Sequence, residues 1–348
     1  MSPQRVFITR PILEGGVDLL RESGCRVDVG QPDPNAAIAP QALRRGAREA
    51  DVLICHLSDP IDREILTLNP QLAGVANYAV GYNNIDLHAA TELGIPVANT
   101  PDVLTETTAD LTWALLLAAA RSIPAGHQFV REGRFKIWNP VLLLGHDVGP
   151  GGSGRRKVLG ILGYGRIGQA VARRAAGFDM VVLAHDPRQR ARIDDGLGVT
   201  WAEFDTLIAE SDFLSLHSPL TPETHHLIGE AELRAMKPNA YLINAARGPI
   251  IDEDNLVRAL REQWIAGAAL DVYEHEPTLA EGLADLPNVT LAPHIGSATH
   301  ETRTEMARIA ARNALAHLRG ERAPQGVNPE VYDTEEWKAR AARRHEQQ

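Results

Sequence analysis

The sequence predicts an α/β protein made of two doubly wound parallel-sheet domains, and three observations carry that prediction. Short apolar runs alternate with helix-patterned stretches along almost the whole chain, which is the pattern of parallel strands joined by helical crossovers. A glycine-rich turn, Gly163-Tyr164-Gly165-Arg166-Ile167-Gly168, stands between an apolar strand and a helix near mid-chain. At 348 residues the chain is too long for one ordinary core, so two domains are expected.

In order, the first series reads as strand Val6–Thr9, a helix around Ile12–Glu22, then strands Arg26–Val29, Asp51–Cys55, Gly74–Ala76 and Pro96–Ala98, with a helix-like stretch at Asn84–Leu93. This is a flavodoxin-like pattern. A long helix follows from Thr105 to Arg121, opened by a Thr-rich cluster that can cap it. The run Gly149–Gly154 then precedes a second series, with strands at Val158–Leu162 and near Val181, Phe213, Tyr241, Ala268 and Val289. Six strands with intervening helices is the Rossmann count. The last helix, His300 to Arg319, is expected to be amphipathic, with Met306, Ile309, Ala310, Asn313, Ala314 and His317 along one side. Residues 1–101 with 297–332 therefore form one discontinuous domain and residues 102–296 the other, with 333–348 trailing as a flexible tail.

Composition narrows the class. With 44% apolar and 23% charged residues the chain is an ordinary globular protein, and a net charge of −10 argues against a nucleic-acid partner. The most apolar window, Trp113–Ala120, falls well short of the about 18 residues that span a bilayer, so no membrane is expected. Cys25 and Cys55 are too few for a disulfide scaffold, and the opening MSPQRVFITR reads as a strand without an apolar signal core. A cytoplasmic location follows as an expectation. His225 and His226 are adjacent and expected to point apart, and neither HExxH nor paired CxxC spacing occurs, so no metal is expected.

The glycine turn carries the first chemistry. Gly163 would permit a tight turn, Gly165 would let a pyrophosphate approach the backbone, and Gly168 would let helix and strand pack closely. The helix N-terminus offers amides and a positive dipole end to phosphate. Asp186 ends the next strand, eighteen residues after Gly168. A carboxylate there can accept from both adenosine ribose hydroxyls and repels a 2′-phosphate, which points to NAD; Arg188 and Arg190 just beyond leave NADP as the alternative.

Three further polar residues follow strands of the same domain: Arg247 after YLINA, Glu276 after GAALDV and His294 after NVTLAP. Ligands of an open α/β sheet bind outside the carboxyl ends of its strands, so the three can converge. Hydride transfer to a 2-oxo acid needs a cation for the carboxylate and a proton donor for the developing alkoxide. Arg247 suits the first with its bidentate fork. His294 suits the second, oriented and electrostatically supported by Glu276. Singly, each has a plain reading as a salt-bridged arginine, a turn glutamate or a packed loop histidine; on successive strand ends the joint reading is favoured.

The ordered segments GYGRIGQAVA, HSPLTPETHHLI, INAARGPIIDEDNL, ALDVYEHEP and APHIGSATHETR resemble the D-isomer-specific 2-hydroxyacid dehydrogenase family over about Val6 to Pro329. NYAVGYNNIDL and the stretch NTPDVLTETTADLTWALLLAAAR are similar to its glyoxylate and hydroxypyruvate reductase branch. The resemblance implies reduction of glyoxylate or hydroxypyruvate to glycolate or D-glycerate, with His294 as the acid, Glu276 as its partner and Arg247 on the substrate. It implies that the amides of Val80 and Gly81 hold the substrate carboxylate, and that Asn77 borders the pocket of a substrate-binding first domain. For the cofactor it implies Thr108, Arg166, Ile167, Asp186, His217, Pro219, Ala245, Ala246, Asp271 and Gly296. It also implies a homodimer built around the helix from Thr105, with Trp138 reaching the neighbouring subunit's site. Two departures stand out: Asn83 replaces an acidic residue in GYNNID, and Gly149–Gly154 lengthens the turn before the second domain's first strand, as a flexible surface loop. A phosphoglycerate-type dehydrogenase is the nearest alternative, disfavoured because Asn77–Asn84 contains no basic residue. A non-catalytic NAD-sensing protein of the same fold is the alternative from another class.

Overall fold

The structure, a computed structural model, describes residues 3–188 and 196–345. The chain forms two compact units, Met1–Leu104 with Ala298–Gln348, and Thr105–Ser297.

In the first unit, β1 (Arg5–Ile8), β2 (Arg26–Val29), β3 (Val52–Cys55), β4 (Val75–Asn77) and β5 (Val97–Ala98) pair in parallel in the order β2-β1-β3-β4-β5. Helices α1 (Glu14–Glu22), α2 (Pro40–Glu49), α3 (Arg63–Thr67) and α4 (Leu87–Glu92) make the crossovers. The helix expected from Asn84 starts later because Asp86 caps it, its side chain accepting from the Ala89 amide at 2.8 Å. Asn84 instead ties the preceding loop down, donating to the carbonyls of His56 and Asp59.

The second unit opens with α5 (Thr105–Ala120) and α6 (Ile123–Arg131). Trp113 of α5 is buried, stacked on Phe178 at 4.5 Å and donating to the Val171 carbonyl. There follow β6 (Val158–Leu162), α7 (Arg166–Ala175), β7 (Val181–His185), β8 (Thr200–Trp201), α8 (Phe204–Glu210), β9 (Phe213–Leu216), α9 (Glu230–Ala235), β10 (Tyr241–Asn244), α10 (Glu253–Arg261), β11 (Gly267–Leu270) and β12 (Val289–Leu291). These strands form one parallel sheet in the order β12-β11-β10-β9-β6-β7-β8. Seven strands stand where six were expected. The extra one, β8, is two residues long and too short to show a pattern, and it is held by pairing with Leu183 and Ala184. Strands β9, β10 and β11 are buried along their whole length, as a parallel sheet covered on both faces requires. Strand order reverses between β6 and β9, and the crevice at their carboxyl ends is where such sheets bind ligands.

The chain then returns to the first unit through α11 (His300–Leu318) and α12 (Glu335–His345). Helix α11 is not one-sided as expected: every residue from Asn313 to Leu318 is buried, because the helix lies between α1 and the strands β3 and β4. The segment expected to trail as a tail is instead largely α12. Its Arg340 donates to the carbonyls of Leu93, Pro70 and Leu72, and Trp337 packs edge-on against Tyr332 at 5.0 Å. The Gly149–Gly154 segment is a short 3-10 turn, exposed from Gly151 onward.

One device recurs in both units. Asp51, just before β3, accepts from the Arg5 amide that leads β1 at 2.8 Å; Asp212, just before β9, accepts from the Val158 amide that leads β6 at 2.8 Å. Each carboxylate satisfies a strand-leading donor that the ladder leaves over. Asp212 is 2% exposed and is also paired with Arg155 at 2.8 Å and Lys237 at 3.3 Å. Burial works to raise its carboxyl, but Arg155, the Val158 amide and Lys237 hold it below the usual range. We expect Asp212→Ala to lose about 3 kcal/mol at neutral pH, because two cations and an amide lose their acceptor. The folded carboxyl titrates below the unfolded value of about 3.9. Its contribution is therefore complete above that value and disappears as pH falls through the lower folded one. Denaturant unfolding from neutral to acid pH should show the variant's deficit shrinking in acid; a constant deficit would contradict the assignment.

Candidate active site

The three residues expected to converge do lie on successive strand ends. At the end of β10, Asn244 is fully buried; its side chain accepts from the Ala246 amide at 3.0 Å and donates to the Arg247 carbonyl at 2.9 Å. This Asx-type turn sets where Arg247 leaves the sheet. The next residue must be glycine: a Cβ on Gly248 would sit 1.8 Å from the Tyr273 carbonyl carbon, so the turns after β10 and β11 touch. Arg247 is half-buried, and burial lowers its pKa against the pull of Glu276. A guanidinium stays charged even so.

After β11 the chain turns at Asp271 and carries Glu276 on the turn that follows. Glu276 Oε1 accepts from the Tyr273 amide at 3.0 Å, and Oε2 lies 2.8 Å from His294 Nδ1. Burial would raise the Glu276 carboxyl; His294, the Tyr273 amide and Arg247 outweigh it and hold it below its usual value. An ionised carboxylate only accepts, so His294 Nδ1 carries a proton and Nε2 is the atom left for chemistry.

After β12, His294 adopts φ +54, a left-handed conformation uncommon outside glycine. Asp271 enforces it. The Asp271 carbonyl accepts from the His294 amide at 2.8 Å, and its two carboxylate oxygens accept from the Ile295 and Gly296 amides at 2.7 and 2.8 Å. Burial raises the Asp271 carboxyl, opposed by those amides and by His294. Thr108 donates to the Gly296 carbonyl at 3.2 Å. Asp271 and Thr108, expected at the cofactor, also shape the turn that presents His294.

The glycine turn fits a dinucleotide. Gly163 has φ +93, and a Cβ there would meet the Ser218 amide nitrogen at 2.6 Å. A Cβ on Gly168 would lie 2.4 Å from the Gly163 carbonyl oxygen, whereas one on Gly165 would enter open space. That open side is where a pyrophosphate needs the backbone bare, at the start of α7, whose N-cap Gly165 supplies no side-chain cap. Ile167 is half-buried at the first turn and Arg166 is exposed. Asp186 accepts from the Tyr164 and Arg188 amides at 3.0 and 2.9 Å, which fixes its carboxylate beside the turn. Arg190 lies outside the described residues. His217 pairs with Ser215 at 2.8 Å, and burial pushes its pKa down to about 4, so its ring is neutral at physiological pH. Pro219 is exposed, and Ala245 and Ala246 are half-buried.

In the first unit, Asn77 is fully buried and does not border open space; it donates to the Gly81 carbonyl at 2.7 Å and accepts from the Cys55 thiol at 3.4 Å. Two contacts the sequence reading missed complete the loop. The Thr100 amide donates to the Ala79 carbonyl at 3.0 Å, and the Asn99 side chain donates to the Val80 carbonyl at 2.7 Å, with Asn313 bonded to the Asn99 carbonyl behind it. In a planar trans peptide the N–H points opposite the C=O. Holding these two carbonyls therefore aims the Val80 and Gly81 amides the other way, leaving two neighbouring donors directed away from the Thr100 and Asn99 contacts. The signal was an Asn closing a strand before Thr-Pro, which alone is too common to single out.

Two surface features differ in what they offer. Trp138 is 75% exposed, within a run that also exposes Phe135, Ile137, Val141 and Leu144. His225 and His226, expected to diverge, instead stack with ring centroids 4.1 Å apart, because φ +52 at His226 folds the second ring back beside the first. Among the described residues no helix is long and apolar enough to cross a membrane.

Residues 113–296 match the model of the D-isomer specific 2-hydroxyacid dehydrogenase NAD binding domain. The chain is 48% identical over 335 residues to a glyoxylate reductase of Thermococcus litoralis, covering 95% of this chain and 98% of that protein. Its fold is similar to the crystal structure of a glyoxylate reductase from Paecilomyes thermophila, with a TM-score of 0.80 and 33% identity over 95% of this chain and 99% of that one. It is also similar to an NADPH-dependent glyoxylate/hydroxypyruvate reductase of Sinorhizobium meliloti solved with NADP and malonate, with a TM-score of 0.78 and 31% identity over 95% and 98% of the two chains.

The Asn99 contact makes a specific expectation. Asn99→Ala removes the donor that holds the Val80 carbonyl, so KM for a 2-oxo acid should rise about tenfold, the worth of one hydrogen bond, with NADH affinity unchanged. Steady-state kinetics measures the first and fluorescence titration the second; an unaltered KM in a folded variant would exclude the positioning role.

Proposed function

The chain belongs to the D-isomer-specific 2-hydroxyacid dehydrogenase family and is an NAD(P)-dependent oxidoreductase, and on that premise we propose that it reduces glyoxylate and hydroxypyruvate to glycolate and D-glycerate through Arg247, Glu276 and His294. The observation that carries the reading is the 2.8 Å pair between His294 and Glu276, with the turn of Glu276 packed against the one bearing Arg247. When bound, the reduced nicotinamide supplies hydride to the carbonyl carbon. The Arg247 guanidinium holds the carboxylate and carbonyl side of the substrate with its planar fork. As negative charge grows on the carbonyl oxygen, His294 Nε2 donates its proton there, and Glu276 stabilises the imidazolium before the transfer and holds the ring throughout. In the first unit, the Val80 and Gly81 amides are the donors proposed for an anionic group, supported by the bonds that hold the Ala79 and Val80 carbonyls. A loop without a basic residue suits a small uncharged substituent better than a phosphorylated one.

Asp186 favours NADH over NADPH in this reading, because its anchored carboxylate would face the position of a 2′-phosphate. Assembly as a homodimer is supported by the exposed apolar run from Phe135 to Leu144, which is large for a surface facing only water. Two buried, unpaired cysteines, Cys25 and Cys55, are in keeping with a reducing cytoplasm.

Oxidation of NADH should be rapid with glyoxylate and hydroxypyruvate and slower with NADPH. His294→Ala should lose about 100- to 10,000-fold in kcat while still binding NADH. No turnover across a panel of 2-oxo acids would overturn the enzymatic assignment, and a clear NADPH preference would overturn the role of Asp186. For the assembly, the double variant Ile137→Asp, Leu144→Asp should elute at half the wild-type mass in light scattering; an unchanged mass would place the interface elsewhere.

A further inference from the structure

One cluster of chemistry-bearing side chains is used by nothing above. His225 and His226 lie between β9 and α9, and Glu274 lies on the turn after β11. His226 Nε2 sits 2.7 Å from Glu274 Oε1, and His275 Nε2 approaches the same oxygen at 3.9 Å. Among the described residues, His225, His226 and Glu274 are the one group of three whose candidate ligand atoms all lie within 4.8 Å of one another. The backbone around them is set: the His226 amide donates to the Pro249 carbonyl at 2.8 Å, and the Glu274 amide donates to Glu253 at 2.7 Å. Asp252, 4.0 Å from His226 Nδ1, is engaged as the cap of α10 and accepts from Asn255 twice.

We propose that His225, His226 and Glu274 form a binding site for a single divalent ion of the zinc class, with His275 as the fourth ligand. A divalent ion can replace the proton that His226 Nε2 shares with Glu274 Oε1 at 2.7 Å, and the His225 ring stacked at 4.1 Å brings a second nitrogen to the same place. Zinc bonds of about 2.0–2.2 Å to nitrogen and oxygen place tetrahedral ligands roughly 3.4 Å apart. Side-chain rotation brings the separations to that value, opening the 2.7 Å between His226 and Glu274 and closing the longer ones, since His225 is exposed and His275 is 82% exposed. Two or three imidazoles select zinc, nickel or copper over magnesium and calcium, which take oxygen ligands. The ion takes no part in hydride or proton transfer. It ties the loop after β9 to the turn that carries Glu276, two chain segments 48 residues apart, and so stabilises the second unit.

The test uses the full-length, untagged chain after chelator treatment, titrated with zinc chloride in a calorimeter and followed by thermal unfolding. One ion should bind per chain and raise Tm by a few degrees. His225→Ala, at an exposed residue with no part in the reaction, and Glu274→Gln should each weaken binding at least tenfold and abolish the Tm shift. Magnesium chloride should do neither. The site is refuted if His225→Ala binds zinc as the wild type does, if zinc leaves heat and Tm unchanged, or if magnesium binds equally well. These readouts need no turnover, so they stand apart from the substrate assignment.

Discussion

The buried carboxylate of Asp271 is the constraint on which the arrangement of His294 against Glu276 depends. At 1% exposure it cannot stay in place unless its oxygens are filled, and they are filled by consecutive amides, Ile295 and Gly296. Its own carbonyl takes the amide of His294. These three bonds over-determine a turn in which His294 sits at φ +54, a conformation costing of order 1 kcal/mol or more on its own. The strain is spent on direction. His294 reaches Glu276 through Nδ1, and Glu276 is itself held by the Tyr273 amide, so the ring is fixed at one edge while Nε2 is left over.

The loop around Val80 follows the same physics with the roles of donor and acceptor exchanged. There the carbonyls are satisfied by Thr100 and Asn99, and the amides are what remains. In both places a buried side chain meets the hydrogen-bonding need of a turn so completely that the unmet groups can face only one way. Preorganised donors of this kind lose no reorganisation energy when charge develops, which is why enzymes build sites from them. The Asp51 and Asp212 pairings extend the principle to the sheets themselves, where a carboxylate before one strand satisfies the leading amide of its neighbour.

Much of this was legible in the chain. The three glycines of the phosphate turn occupy the three environments their spacing implies: positive φ at Gly163, open space at Gly165 and backbone contact at Gly168. Arg247, Glu276 and His294 could be found because each follows an apolar run, and parallel strands put their ends on one side. Other features left no such mark. Strand β8 is two residues long, and α12 is a polar helix held by one arginine to three carbonyls, so neither shows a periodic apolar signal. Asn77 and Asp271 were visible as polar residues near the right places, yet whether each faces a ligand or holds a turn depends on neighbours distant in sequence.

Local order along the chain therefore determined the class of fold, the glycine turn and which polar residues stand at the strand ends, since these rest on hydrophobic period, glycine spacing and strand ends. Tertiary structure decided what each buried polar atom does with its hydrogen bonds. That depends on which segments meet: Asp271 with residues 295 and 296, Asn99 with Val80, Glu274 with His226. Adjacent histidines point apart in regular structure, and only a left-handed residue at His226, set by its bond to Pro249, brings them side by side. Pairings across such distances are chosen by packing, and no local pattern encodes them.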